Sequence, residues 1–216
     1  IKSKELRFDS EVNRAVILIR FSNTGDIIPY DVIQNMFPDK LHDYVINVGE
    51  SDIVLVKELK SAHDTKSLET IAKSIVDTVQ AEFYLKVHIG IGSTVSNVKE
   101  LARSYKDAQV ALEVGKVFDT EKNVINYESL GIGRLIYQLP STLCEMFLKE
   151  IFKVGSIETL DQETLFTIQR FFENNLNVSE TSRKLFVHRN TLVYRLEKIK
   201  KITGLDLREF DHAIIF

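Results

Sequence analysis

The sequence contains very little cysteine, tryptophan or proline, and these shortages narrow the possible classes of protein. Its 216 residues include one cysteine, no tryptophan and three prolines. The single Cys144 excludes an internal disulfide and fits a reducing compartment. No apolar run approaches the length of a transmembrane helix, and the polar N-terminal residues IKSKELR do not resemble a signal peptide. We therefore expect a cytoplasmic protein that does not associate with a membrane.

Recognised catalytic and metal-binding motifs are also missing. The five histidines show no metal-ligand spacing. Gly90-x-Gly92 and Gly131-x-Gly133 lack the third glycine of a dinucleotide-binding loop, and strand-end turns explain both better. No P-loop and no Gly-x-Ser-x-Gly sequence occurs. The sequence thus predicts no catalytic residue, no metal site and no cofactor.

The composition is that of a folded protein, and the periodicity divides the chain into two parts. Hydrophobic residues make up 44% and charged residues 27%, which is typical of a globular chain with a substantial core. Before Ser129, strand and helix patterns alternate, whereas after it only helical spacing is found. We therefore predict two domains, residues 1–129 and residues 130–216.

The first domain is predicted to be an α+β sandwich of the ferredoxin-like or nucleotide-cyclase-like type. Its order is β-α-β-β-α-β-α-β, in which helices pack on a largely antiparallel sheet. Gly49–Asp52 connects two adjacent strands, as in a β-hairpin. The predicted strands are 12–21, 43–48, 53–58, 85–91 and 123–127, and the predicted helices are 29–37, 65–83 and 97–115.

The second domain is predicted to be entirely helical. Helices are expected at 131–138, 140–152, from about 161 to 175, and at 206–216. Helical spacing places Leu143, Phe147 and Ile151 on one face of the second of these. In the third it directs Leu165, Ile168 and Phe172 inward.

Residues 177–204 within this domain carry the strongest functional signal. They are predicted to form two helices, 178–186 and 189–202, joined by a tight turn and ended by Gly204. Leu192, Leu196 and Ile199 recur at helical spacing and face a core. From 182 to 204 there are seven cationic side chains and one anionic one, in a chain whose net charge is −3. A basic helix-turn-helix of this kind is typical of a DNA-binding surface.

The second helix of the pair supplies candidate DNA contacts. Arg189 can read guanine and Asn190 can read adenine in the major groove. Free backbone N–H groups near the helix start favour a phosphate, and cations farther along can neutralise the DNA backbone. The candidate DNA-binding residues are His188, Arg189, Asn190, Thr191, Tyr194, Arg195 and Lys198.

Three of these residues have a structural alternative. His188 either contacts a phosphate or caps its helix. Tyr194 could instead pack on the preceding helix, and Arg195 could pair with an acid such as Glu180. The basic helix could also be a solvated face of an ordinary bundle, or it could bind an acidic protein partner.

The run LFVHRNTLVYRLEKIKKITGLDL closely resembles the C-terminal helix-turn-helix of the PucR and sugar-diacid-regulator (CdaR) family of bacterial transcription factors. The first half resembles the GGDEF-like domain of that family at HIGIGST and ELARSYKDAQVAL. The resemblance implies a transcriptional regulator that binds double-stranded DNA and senses a small-molecule effector through an N-terminal domain absent from this chain. Because one helix-turn-helix reads only a few base pairs, we also expect a homodimer on a two-fold DNA site. The GGDEF-like domain would then serve transmission or dimerisation.

The hairpin that carries catalysis in active cyclases of this fold departs from their pattern. Those enzymes have Gly-Gly-Asp/Glu-Glu-Phe, whereas this chain has Gly49-Glu50-Ser51-Asp52-Ile53. The metal-binding Asp expected after the first strand is replaced by Phe21-Ser22-Asn23, and Asp26 is displaced. We therefore expect no enzymatic activity, with Glu50 and Asp52 as solvated turn residues. The alternative is a nucleotide-binding sensor or cyclase-like enzyme based on the first domain.

Overall fold

The computed structural model describes residues 9–22, 29–62, 64–118, 122–152 and 159–216. The chain divides into two compact units, residues 1–138 and 139–216. The segment 130–138, which helical periodicity groups with the second domain, packs against a long helix of the first unit. The predicted loop residues Asn23 and Asp26, and also His63, lie outside the described ranges.

The first unit is built on one five-stranded sheet in the order β2-β3-β1-β4-β5. Its strands are β1 (Arg14–Ser22), β2 (Tyr44–Asn47), β3 (Asp52–Glu58), β4 (Lys86–Ile91) and β5 (Val124–Asn126). Neighbouring strands are antiparallel except β4 and β5, which are parallel. Tyr44 pairs with Val56 across the predicted hairpin.

Helices cover both faces of this sheet because β1 is apolar on both of its sides. Ile17 and Ile19 face a core shared with α1 (Tyr30–Met36) and α2 (Thr65–Phe83). Val16 and Leu18 face the opposite core, to which α3 (Leu101–Phe118) contributes. The α+β sandwich expected from the sequence is therefore confirmed. Burial on both faces also explains why β1 is a continuous apolar run rather than an alternating one.

Gly90 and Gly115 both allow close packing of α3, and the prediction that its helix ends at Gly115 is wrong. Gly90 lies within β4, and a Cβ there would be 2.2 Å from the Ala108 carbonyl oxygen. Gly115 does not end α3, because the helix continues to Phe118. A Cβ at Gly115 would be 1.7 Å from Ile125 Cδ1. Both glycines are therefore sites of helix–sheet contact.

The start of α3 also differs slightly from the predicted helix at residue 97. Asn97 caps a 3₁₀ turn, Val98–Glu100, and its side chain accepts a hydrogen bond from the Lys99 N–H at 3.0 Å. The α-helix begins directly after this turn, at Leu101. The cap, Asn97, thus lies at the predicted start of the helix, but the first turn that it caps is 3₁₀.

Residues 127–138 complete the first unit. A 3₁₀ turn, Tyr127–Leu130, follows β5, and the short helix α4 (Gly133–Tyr137) follows the turn. The Asn126 side chain caps this turn by accepting a hydrogen bond from the Glu128 N–H at 3.0 Å. Both the turn and α4 pack against α3, which explains why they belong to this unit.

The second unit contains only helices in the ranges that the structure describes. The helices are α5 (Ser141–Ile151), α6 (Gln162–Glu173), α7 (Val178–Lys184), α8 (Arg189–Thr203) and α9 (Phe210–Ile215). Its core is formed by Ile151, Phe152, Leu160, Ile168, Phe171, Leu192, Leu196, Ile199 and Leu207. None of the helices in the described ranges is long and apolar enough to cross a bilayer.

The buried faces of α5 and α6 differ from the predicted apolar stripes. On α5 only Ile151 is buried, whereas Leu143 and Phe147 are each 47% exposed. On α6 the buried stripe contains Ile168 as expected, but Leu165 and Phe172 are exposed. The other members of that stripe are Thr164, Thr167 and Phe171. Hydrophobic spacing could not indicate this face, because two of its members are polar.

Candidate nucleic-acid interface

The helix-turn-helix consists of α7, a four-residue connection and α8. The Asn177 side chain caps α7 by accepting a hydrogen bond from the Glu180 N–H at 3.0 Å. At the other end, Gly204 adopts a left-handed conformation (φ +79°) and donates its N–H to the Lys200 carbonyl at 2.8 Å. Both ends of the motif are thus capped, the first by Asn177, one of two residues that the sequence allows there with Ser179, and the second by the predicted Gly204.

The connection between the two helices contains one exposed aromatic residue in a strained conformation. Leu185 and Val187 pack against the core of the unit. Phe186 between them has φ +54° and is 96% exposed. A left-handed conformation favours glycine, so Phe186 costs free energy without burying its ring.

α8 has one buried face and one exposed face. Leu192, Leu196 and Ile199 are at most 1% exposed and fix the helix against the core. Tyr194 projects from the opposite side and is 70% exposed. It therefore does not pack on the preceding helix, and it lies at the centre of the solvent-facing surface of α8.

The first turn of α8 is exposed as a group, from His188 to Thr191. His188 caps the helix, because its Nδ1 accepts the Asn190 N–H at 3.2 Å. In the neutral ring the proton then lies on Nε2, which remains a hydrogen-bond donor. Capping and a phosphate contact are therefore compatible at this residue. Within the described ranges, the guanidinium of Arg189 makes only a long hydrogen bond, to Ser179 Oγ at 3.4 Å.

Two of the predicted DNA-contacting residues, Arg195 and Lys198, instead bind side chains of α6 and of its N-cap in this structure. Arg195 donates to Thr167 Oγ1 and to Glu163, each at 2.9 Å, and its side chain is 16% exposed. Its acidic partner is thus Glu163 and not Glu180, which pairs with Lys184. Lys198 forms an ion pair with Asp161. The structure therefore brings five of the seven candidates together on one open surface: His188, Arg189, Asn190, Thr191 and Tyr194.

Two further cations of the helix-turn-helix are not among the seven candidate residues. Arg183 and Lys201 are exposed and form no ion pair with any residue that the structure describes. Lys201 lies seven positions after Tyr194 and so shares its helix face. The sequence predicts it, with Arg195, Lys198 and Lys200, as a cation that neutralises DNA phosphates. Lys200, by contrast, pairs with Asp206 at 3.1 Å.

In the hairpin of the first unit, the acidic residue that aligns with the cyclase motif, Asp52, is paired with an arginine. Arg20 donates to both carboxylate oxygens of Asp52, from Nε at 2.9 Å and from Nη2 at 2.8 Å. A second ion pair joins Arg20 to Glu113 at 3.1 Å. The hydrogen bonds to Asp52 are the main reason why the pKa of Arg20 is raised. Asp52 is therefore a paired residue and not the solvated turn residue expected from the sequence, whereas Glu50 is exposed.

No group of three His, Cys, Asp or Glu side chains that could hold a metal ion occurs among the described residues. Asp52 occupies the second acidic position of the cyclase motif, and its carboxylate is paired with the guanidinium of Arg20. Asp52 would have to leave Arg20 before its carboxylate could bind a cation.

Comparisons with known proteins identify both units. A model of the GGDEF-like domain matches residues 2–114, and a model of the PucR C-terminal helix-turn-helix domain matches residues 164–216. The carbohydrate diacid regulator of Escherichia coli is 31% identical over 134 residues, covering 61% of this chain and 34% of that protein. The proline-responsive transcriptional activator PutR of Bacillus subtilis is 25% identical over 229 residues, covering 96% of this chain and 54% of that protein.

Among solved structures, a regulator of polyketide synthase expression from Bifidobacterium adolescentis is similar over 98% of this chain and 80% of that chain, with a TM-score of 0.45 and 16% identity. The chain spans 34% and 54% of the length of the two curated relatives. On the strength of the two matched domains, the chain belongs to the PucR and sugar-diacid-regulator (CdaR) family of transcriptional regulators, of which it contains the GGDEF-like domain and the C-terminal helix-turn-helix.

Proposed function

We propose that this chain is the DNA-reading part of a transcriptional regulator and that α8 enters the major groove. The observation that carries the proposal is the exposed surface formed by the first turn of α8 and Tyr194, directly opposite the buried face of the helix. A recognition helix has to be fixed by its own core while it presents polar side chains to base edges. α8 meets both conditions.

The contacts expected on DNA follow from the chemistry of each side chain. Arg189 reads guanine, Asn190 reads adenine, and His188 donates from Nε2 to a phosphate. Thr191 and Tyr194 contact the adjoining backbone or bases.

The remaining cations have positioning or backbone roles in this proposal. Arg195 positions α8 against α6, and Lys198 binds a phosphate once it leaves Asp161. Arg183 and Lys201 add phosphate contacts.

The regulator acts as a homodimer in this proposal. One helix-turn-helix reads only a few base pairs, and two copies on a two-fold site supply the affinity and specificity of a regulator. The exposed apolar residues of α5, among them Leu143, Met146 and Phe147, supply a surface for a second copy. The GGDEF-like unit transmits a signal or contributes to the dimer. A small-molecule effector is sensed by a region of the protein outside this chain.

The first unit has no enzymatic activity in this proposal, and the protein works in the cytoplasm. The Arg20–Asp52 ion pair supports the first point, because the carboxylate needed for a catalytic metal already has a cationic partner. The names of the relatives support it too, since they describe regulators and not enzymes. No observation favours the alternative of a nucleotide-binding sensor.

Selection of bound sequences from fragmented genomic DNA, followed by a salt titration on the best one, tests the proposal. We expect recovery of a two-fold symmetric sequence whose binding weakens steeply as salt is raised. Arg189→Ala should reduce the enrichment of that sequence. Equal recovery of all fragments by the unaltered chain and by the variant would show that α8 does not read sequence.

A further inference from the structure

Two acidic side chains at the start of α6 lie against two cations of α8. Both acids are exposed, Glu163 at 78%, but the two cations differ in burial. Arg195 in the Glu163 pair is 16% exposed and is also bonded to the fully buried Thr167. In the other pair, Lys198 is 38% exposed and Asp161 is 52% exposed. An exposed pair exchanges readily with solvent ions, whereas the Arg195 contacts are part of the packed interface.

Asp161 has two separate tasks in the structure. One carboxylate oxygen caps α6 by accepting the Thr164 N–H at 2.8 Å, and the other binds Lys198. The Lys198 hydrogen bond, followed by that of Thr164, holds the pKa of Asp161 well below its usual range. Asp161 is therefore ionised at neutral pH, and its negative charge lies at the edge of the basic surface of α8.

The ion pair between Asp161 and Lys198 is not needed to hold α8 in place. Leu192, Leu196 and Ile199 already fix the helix in the core. An exposed pair of this kind contributes little to stability. Its larger consequence is electrostatic, because a carboxylate beside a phosphate-binding lysine both neutralises the lysine and repels the phosphate.

We infer that Asp161 sets the affinity of the DNA-binding surface by competing with a DNA phosphate for the ammonium group of Lys198. In the free protein the carboxylate occupies Lys198, and DNA binding requires the lysine to leave it. The inference rests on the proposed function, since it presupposes that α8 binds DNA. Asp161, at the start of α6, would thus affect DNA affinity without contacting DNA itself.

Asp161→Asn in the whole chain tests this inference, because asparagine also caps helices well and only the charge is lost. The probe is a short duplex of mixed sequence, and binding is followed by fluorescence anisotropy across a salt series. We expect binding about two- to tenfold tighter at low salt, and a steeper dependence on salt. Asp211→Asn, which removes an exposed charge on α9, is the matched control and should leave affinity nearly unchanged.

The same substitution in a Lys198→Ala background shows whether the gain passes through Lys198. We expect the gain from Asp161→Asn to disappear there. A gain that persists, a gain equalled by Asp211→Asn, or weaker binding by Asp161→Asn would each overturn the inference. If the unaltered chain binds the duplex and Arg189→Ala weakens it, those outcomes reject only the role of Asp161. If the unaltered chain does not bind any duplex, the proposed function fails as well.

Discussion

The guanidinium of Arg195 donates a hydrogen bond at 2.9 Å to the hydroxyl of Thr167, a residue with no solvent exposure. The two residues are 28 positions apart in the chain, on α8 and α6. The sequence pattern predicts that Arg195 contacts DNA, whereas in the structure its side chain joins α8 to α6. Substitutions of Arg195 and Arg189 are therefore expected to have different effects on stability.

Arg195→Ala should therefore destabilise the second unit, whereas Arg189→Ala should not. The substitution removes the charge-assisted hydrogen bonds to Thr167 and Glu163, and the buried Thr167 hydroxyl keeps the bond that it donates to the Glu163 carbonyl at 2.7 Å. We expect a loss of about 1–3 kcal/mol in the free energy of unfolding. Hydrogen exchange of the α8 amides measures it. Equal protection of α8 in the two variants would contradict the structural role of Arg195.

Phe186→Gly should stabilise the second unit. Phe186 has a left-handed backbone and an exposed ring, so glycine relieves the strain and removes no buried contact. We expect a gain of about 0.5–1 kcal/mol in urea unfolding. Phe186→Ala keeps the strained backbone and is the control that should show no gain. If alanine stabilises the unit as much as glycine, the exposed ring and not the backbone is the cause.

Gly90→Ala should destabilise the first unit strongly. The added Cβ would be 2.2 Å from the Ala108 carbonyl oxygen, and this backbone atom can move only if α3 shifts. We expect a loss of about 1–3 kcal/mol, measured by thermal unfolding. Gly49→Ala is the control, because no atom beyond its two chain neighbours lies within 4 Å of its Cβ position. A small effect at Gly90 would mean that α3 does not pack closely on β4.

Asp206 should make the second unit sensitive to acid. Its pKa is held well below the usual range, chiefly by hydrogen bonds from Arg208. Because the folded-state pKa is lowered, the stabilisation is present above the unfolded pKa of about 4 and is lost as pH falls below it. Asp206→Asn should thus lower the urea midpoint at pH 7 and have a smaller effect near pH 3. A pH-independent difference would exclude this linkage, and the exposed Asp211→Asn should change little at either pH.

Much of the fold could be predicted because long apolar patterns determine it locally. α2 has the predicted bounds, Thr65–Phe83, and the hairpin partners Tyr44 and Val56 lie in the two strands expected to pair. The extent of α3 could not be predicted, because Gly115 is of the residue type that commonly ends a helix. Here the residue allows Ile125 to pack against the helix, which is a contact between elements.

The exposed part of the candidate site could be predicted from sequence, but its ion pairs could not. The exposure of Asn190 and Tyr194 follows from helical spacing relative to the buried Leu192 and Leu196. The partners of Arg195 and Lys198 include Thr167 and Asp161, which lie 28 and 37 positions away. Local spacing carries no information about such pairs, so the sequence pattern assigns both cations to DNA.

The most direct test of the central claim is a comparison of Arg189→Ala with Lys201→Ala on the selected DNA sequence and on single-base variants of it. We predict that Arg189→Ala costs about 1–3 kcal/mol and relaxes specificity at one base pair, because one base contact is lost. Lys201→Ala should weaken all sequences alike and flatten the salt dependence. An equal loss for both variants on every sequence would contradict the claim that α8 reads bases.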